Sequence, residues 1–390
     1  MAIPIIYNVR NVMQRPWTTL ATGWGIAMVV MILVGAFALA SGFQAALVES
    51  GSPNNAIVMR VGADSEISSG VGRDAANIIK ALPDIATGPD GRPLVSTDMV
   101  VLTNLPRLGG TGGSSNVTIR GIDPASLTLR DQVKVTSGRM FTPGTGEVIV
   151  GRRISPRFQN LAVGNQIRFG QQSFNVVGLF EADGSAFESE IWGDNAVLMP
   201  AFQRTDAFQS VTFRMRNPGQ FAELEKRLEA DPRLGVQVKT ERAFYSEQSA
   251  LLANMIRFAG VLITLIMAIG AIFGAMNTMY AAVSQRTREI AVLLTLGFSP
   301  FSIMTSFMAE SVILCLIGGV LGVLLALPIN GITTSTTNWS SFSEVAFAFR
   351  VTPMGVALGL LFSVILGVVG GFLPARQAAK QSLAGSLRAA

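Results

Sequence analysis

Hydrophobic positions gather along the chain into four stretches, 17–42, 258–283, 301–329 and 353–373, that are nearly free of charged side chains. A hydrocarbon core about 30 Å thick takes about 20 helical residues at about 1.5 Å each. Each stretch is that long, and because lipid offers the backbone no hydrogen-bond partners, each is predicted to be a spanning helix. The first could be a cleaved signal peptide, but residues 17–39 run well past the usual apolar core of about 7 to 15 residues, so a retained anchor is expected.

Between the first two stretches the pattern changes to short alternating runs bounded by Gly, Pro, Asp and Asn. Strands are predicted at 56–61, 116–120, 147–150, 166–169, 174–179 and 211–215, and helices at 73–82 and 218–228. Strands at both ends with helices between them point to two intertwined α/β lobes rather than domains strung in order. The expected fold is an α-helical membrane protein with four transmembrane helices and a large α+β domain inserted between helices 1 and 2.

Only 14 % of the residues are charged, against about a quarter in a soluble protein. There is no histidine, which removes the commonest metal ligand and the commonest general base near neutral pH. No paired catalytic carboxylates lie within the spans, so an intramembrane enzyme is not expected and no metal site is assigned. The single cysteine, Cys315, cannot form an internal disulfide.

The charges orient the chain. Arg10, Arg15, Arg286, Arg288, Arg376, Lys380 and Arg388 flank the spans on one side with only Glu289 against them, whereas 41–250 carries 21 basic and 22 acidic residues. By the positive-inside rule both termini and the short loop after the second span are cytoplasmic and the large segment is outside. The basic balance is therefore a topology signal, and with no basic patch interleaved with aromatics a nucleic-acid partner is not expected.

The loop 284–300 is the most informative segment. Ile290, Leu293, Leu294 and Gly297 fall on one face of a short helix, Gly297 suits a left-handed closing position, and Ser299-Pro300 is an N-cap pair opening the third span. Such a helix could dock in a partner's groove or rest on headgroups. Glu310, within the third span, has no evident intramembrane ionisable partner, so a structural polar contact is expected rather than a proton relay. Glycines 318, 319, 322, 355, 359, 367, 370 and 371 suggest close helix packing or, equally, bending points, since glycine lowers helix stiffness. The acidic residues Glu181, Asp183, Glu188, Glu190 and Asp194 lack the order of a calcium loop and are expected to form a solvated loop that meets a partner. The glycine-rich run 109–115 precedes a strand pattern and lacks a Lys-Ser/Thr pair, so it reads as a hairpin loop and not a phosphate cradle. No Gly-x-x-x-x-Gly-Lys-Ser/Thr run occurs in the sequence.

Gln285-Arg286-Thr287-Arg288-Glu289-Ile290 followed by Leu296-Gly297 resembles the loop between the second and third spans of MacB/FtsX/LolC-type ABC transporter permeases. Asn8-Val9-Arg10 with Arg15 is similar to the family's approach to the first span. Pro374-Ala375-Arg376-Gln377-Ala378-Ala379-Lys380 with Leu387-Arg388 is similar to its C-terminal tail, although Leu383 stands where that tail usually has proline. Ser137-Gly138-Arg139-Met140-Phe141, Glu147-Val148-Ile149-Val150-Gly151 and Val176-Val177-Gly178-Leu179-Phe180 resemble parts of the MacB-type periplasmic domain.

The resemblance implies a cytoplasmic amphipathic helix at 1–16, transmembrane helix 1 at 17–42, a periplasmic MacB-like domain at 43–248 and a long transmembrane stalk at 249–283. It further implies a cytoplasmic coupling helix at 284–300, helix 3 at 301–329, a short periplasmic loop at 330–352, helix 4 at 353–373 and a cytoplasmic tail at 374–390. The implied protein sits in the inner (plasma) membrane as the permease subunit of an exporter. ATP and Mg would be bound by a separate ABC ATPase subunit and no cofactor by this chain. Arg286, Thr287, Arg288, Glu289, Ile290, Leu293, Leu294 and Gly297 would make the ATPase-coupling contacts, joined by Pro374, Ala375, Arg376 and Lys380 of the tail. A second permease copy or paralogue would complete a dimer, with a periplasmic adaptor and an outer-membrane channel in a double-membraned cell. The alternative is an FtsX-like signalling module that activates a cell-wall hydrolase without transport.

Overall fold

The computed structural model describes residues 16–109, 113–169 and 172–381. The amphipathic segment with Arg10 and Arg15, the tip of the glycine-rich run, and the tail residues Leu383, Leu387 and Arg388 lie outside the described residues. The chain divides into two compact units: a helical one, made of segments ending at Ser41, Asn254–Ile332 and from Phe349 onward, and an α+β one, made of Gly42–Ala253 and Thr333–Ala348.

Among the described residues four helices are long and apolar enough to cross a membrane. They are Pro16–Val48, Glu241–Gln285, Pro300–Ala326 and Pro353–Ala379, referred to below as the first to fourth long helices. The third and fourth open as their sequences dictate. Ser299 and Thr352 each cap with a side-chain oxygen, accepting from Ser302 N and Gly355 N, and a proline follows at the first helical position. The second is 45 residues long, about 67 Å at 1.5 Å per residue, and passes without a break from the α+β unit into the helical unit.

The helical unit packs through small residues. Ile26, Val30 and Val34 of the first long helix, spaced four apart, share a buried cluster with Ala268, Ala275, Cys315, Val323 and Leu366, so all four helices contribute. A Cβ on Gly318 would lie 2.8 Å from the Gly23 carbonyl oxygen, and one on Gly367 2.7 Å from the Val312 Cα. Only glycine permits these approaches, which bring Ser311 Oγ to donate to the Gly367 carbonyl at 2.8 Å. Close backbones and interhelical hydrogen bonds replace the hydrophobic drive that lipid cannot supply.

The α+β unit is built on a ten-stranded mixed sheet. Its strands run in the order Val236–Thr240, Asn55–Arg60, Ser210–Arg214, Val95–Pro106, Ser114–Ile122, Glu190–Asp194, Glu147–Gly151, Gln172–Glu181 and Lys134–Gly138, with Gln166–Phe169 added beside Gln172–Glu181. Two neighbouring pairs are parallel, Ser114–Ile122 with Glu190–Asp194 and Glu147–Gly151 with Gln172–Glu181. The first strand lies between two late ones, so strands from the beginning and end of 42–253 are neighbours in one ten-stranded sheet, where two lobes were expected. The strands on either side of the glycine-rich run pair antiparallel, with Pro106 opposite Ser114.

The segment read as a short loop at 330–352 carries a hairpin, Thr333–Thr337 paired with Glu344–Ala348, and this hairpin belongs to the α+β unit. Its first strand is an unbroken run of small polar residues, Thr333–Thr337, which gave little strand signal, and its place is set by contacts distant in sequence. Ala346 N donates to Ser189 Oγ at 2.8 Å, Arg153 Nη1 donates to the Ala346 carbonyl at 3.2 Å, and Phe347 meets Phe43 edge to face at 5.5 Å.

Candidate functional site

The connection between the second and third long helices is a nine-residue helix, Thr287–Thr295, separated from the second long helix by Arg286 alone. Arg286 has left the helical region (φ −112°, ψ 17°), which breaks the helix direction while Ile290 N still donates to the Arg286 carbonyl at 3.0 Å. The far end closes on Gly297 at φ +88°. Gly297 N donates to the Leu294 carbonyl and Phe298 N to that of Leu293, both at 3.1 Å. This paired closure needs a left-handed residue, hence glycine.

The face predicted to meet a partner is turned inward. Ile290 is 1 % exposed and shares a cluster with Met279, Val283, Ile303, Phe307, Ala375 and Ala378, against which Leu293 and Leu294 pack. The reason is that a short amphipathic helix between two membrane-length helices first buries its apolar stripe on them. Arg288, Glu289, Val292 and Leu296 remain exposed, Val292 at 53 % and Leu296 at 65 %. Arg288, Val292 and Leu296 follow at intervals of four and form one ridge. Thr287 is half-buried and donates its hydroxyl to the Ser284 carbonyl at 2.9 Å.

Arg286 and Glu310 come together. Both are buried, and Arg286 Nη1 donates to Glu310 Oε2 at 2.8 Å. Arg286 Nε lies 3.4 Å from Glu289 Oε2, and its guanidinium stands 5.8 Å over the Phe307 ring. The partner not found for Glu310 in the sequence is thus a residue assigned there to the coupling surface. Nothing local signals this pairing, because the two are 24 residues apart. The fourth long helix continues past the predicted end at 373 and buries Pro374 and Ala375, leaving Arg376 and Lys380 exposed.

The helical unit also carries a lateral groove of about 660 Å³ between the first and second long helices, bordered by Ala21, Gly25, Gly270 and Gly274 and by the hydrogen-bonded hydroxyls of Thr22 and Thr278, 2.6 Å apart.

Within the α+β unit sequence reasoning missed a buried charge network. Arg120 is 1 % exposed and binds two carboxylates in forked fashion. Its Nη1 and Nη2 donate to Glu66 at 2.8 Å each, and its Nε and Nη2 donate to Glu190 at 2.7 and 3.0 Å. Arg130 Nη2 donates to Asp98 Oδ2 at 2.6 Å, and Phe187 stacks beside both guanidinium groups. Burial alone would raise the Glu66 carboxyl, but the Arg120 charge and hydrogen bonds from Arg120 and Ser210 outweigh it and hold the group below the usual carboxylate range. A second knot lies at the hairpin, where the buried Glu344 carboxylate pairs with Arg107 and Arg157.

The acidic run 181–194 is therefore not a solvated loop. Glu190 serves Arg120. Glu188 is buried against Arg153 at 3.0 Å and accepts from Ala182 N and Gly184 N. Asp194 caps a helix by accepting from Ala196 N. Glu188, Glu190 and Asp194 each accept from an internal donor, which draws that part of the run into the fold, while Asp183 stays exposed.

The family described as MacB-like periplasmic core domain matches residues 19–231, and the FtsX-like permease C-terminal family matches 261–383. A macrolide export ATP-binding/permease protein MacB of Yersinia pestis bv. Antiqua (strain Antiqua) is 30 % identical over 246 residues, 59 % of this chain and 35 % of that protein. An ABC transporter permease, YknZ, of Bacillus subtilis (strain 168), described as uncharacterized, is 26 % identical over 285 residues, 68 % of each. A MacB of Neisseria meningitidis serogroup B is 23 % identical over 397 residues, 96 % of this chain and 58 % of that protein. The chain thus spans about a third of the Yersinia relative. With one family covering more than half of its residues and the other the remaining apolar helices, the chain belongs to the MacB/FtsX-type ABC transporter permeases.

Proposed function

We propose that this chain is the permease subunit of an exporter and passes the work of ATP hydrolysis on a separate ATPase subunit to its α+β unit. The observation that carries this is the exposed Arg288–Val292–Leu296 ridge on a short helix held between two long apolar helices. A ridge with a cation at one end and two large apolar side chains is suited to an apolar groove with an acidic rim. The match to a relative named as a permease supports an ATPase on another polypeptide, and ATP and Mg would be held there. Both termini and the connecting helix would be cytoplasmic and the α+β unit periplasmic, in keeping with the basic residues Arg288, Arg376 and Lys380. The second long helix, continuous from one unit into the other, would carry the displacement. Its most apolar window is only 22 % buried within the chain, which supports a second permease copy along the lateral groove.

Two measurements test the proposal. Tagged chain purified from its native membrane should bring an ATPase subunit with it, and Val292→Glu with Leu296→Glu should lose that subunit while the chain stays folded. Undiminished capture by the variant would remove the ridge from the coupling role. A membrane-impermeant maleimide should label Val163→Cys from outside in a Cys315→Ala background and reach Val292→Cys only after permeabilisation. The opposite pattern would invert the topology.

A further inference from the structure

We infer that Arg286 is a positioning residue: its buried pairing with Glu310 locks the break between the second long helix and the connecting helix onto the third long helix. Arg286 is the single residue at which the helix direction changes, and a lone non-helical residue between two helices is where bending would concentrate. Its side chain removes that freedom. One guanidinium nitrogen bonds Glu310 at 2.8 Å while the guanidinium faces the Phe307 ring at 5.8 Å, within the reach of a cation–π contact. Phe307 and Glu310 are three residues apart and so lie on one face of the third long helix. Two contacts of different chemistry thereby tie the break to one side of that helix.

The surroundings make the tie directional. Val283 and Ile290, flanking the break, and Ile303 and Phe307 of the third long helix belong to one buried apolar cluster. Apolar packing alone tolerates sliding, since one methyl contact replaces another. A buried ion pair does not, because separating it leaves a charge in apolar surroundings without a counter-ion. The pair therefore selects one register between the connecting helix and the third long helix, the use for which buried charges are best attested. The exposed pairing with Glu289 lies outside this constraint, as that carboxylate is 57 % exposed. The inference rests on the proposed function only for what the locked register serves: a push on the Arg288–Val292–Leu296 ridge would move the third long helix as well as the second.

The test needs no ATPase. Spin labels at Val292→Cys and Ile317→Cys, both exposed positions, are placed on full-length Cys315→Ala chain in lipid nanodiscs, and the distance distribution between them is measured by double electron–electron resonance. The parent should give one narrow peak. Arg286→Ala, and Glu310→Gln, which keeps the side-chain volume, should each lose it, while the reversed pair Arg286→Glu with Glu310→Arg should regain it. Glu289→Gln should leave it unchanged. A narrow peak retained in both single variants, or no recovery in the reversed pair, would overturn the inference. Thermal unfolding of the same samples separates lost register from lost fold, and a retained ATPase-capture result would stand whichever way the labels fall.

Discussion

Arg120 shows how much rests on single side chains in the α+β unit. Its forked hydrogen bonds satisfy Glu66 and Glu190 together, and Trp192 Nε1 adds a donor to Glu190 at 2.7 Å. Arg120→Ala would leave two buried carboxylates without a counter-ion, a loss of about 3–5 kcal/mol, read as a lower Tm of the full chain in detergent. Arg120→Lys should recover only part of this, since an ammonium cannot serve both carboxylates with a planar fork. Glu66 adds a pH dependence of definite sign. Its carboxyl is held below the ordinary value, so it binds a proton less readily folded than unfolded. Its contribution is present above about pH 4.3 and is lost as the pH falls through the folded value. Denaturant titrations should show stability declining below that pH, and Glu66→Gln should flatten the decline.

At the scale of elements the connecting helix and the hairpin make opposite demands. The helix is closed by Gly297 at φ +88°, where an L side chain costs about 1–2 kcal/mol. Gly297→Ala should fray the last turn, detected as faster hydrogen exchange at the Gly297 and Phe298 amides. The hairpin 333–348 is held from outside, by Glu344 between Arg107 and Arg157 and by Asn116 Nδ2 donating to the Phe342 carbonyl at 3.2 Å. Glu344→Ala should free it, with protease cleavage inside 338–343 rising severalfold while the ten-stranded sheet keeps its protection. Both elements follow from where hydrogen-bonding groups find partners: the helix end within its own last turn, the hairpin on residues more than a hundred positions away.

For the whole molecule the α+β unit is discontinuous, since residues of the 42–253 insertion depend on 333–348 for partners. Expressed alone, 42–253 would leave Ser189 Oγ, Phe43 and the Arg107–Arg157 pair without their hairpin contacts. It should melt at a lower temperature than the same segment with 333–348 linked to it. Equal melting temperatures would make the hairpin a passenger. The same discontinuity means that the polypeptide enters or leaves the α+β unit at both ends of each of two segments, a property of the covalent chain on which the proposed coupling can draw.

The sequence by itself determined the four apolar helices, the cap at Ser299, the left-handed Gly297 and the family resemblance. These are legible because each rests on local periodicity, backbone geometry or solvent preference over a few neighbouring residues. Only the tertiary structure decided which face of the connecting helix stays exposed, that Arg286 belongs with Glu310, that Glu188 and Glu190 of the acidic run are internal, and that the segment between the last two long helices completes the α+β unit. Those outcomes depend on charges and donors brought together from distant parts of the chain. A charged residue in sequence looks the same whether folding will give it water or a buried counter-ion, so the choice is made only where the chain crosses itself.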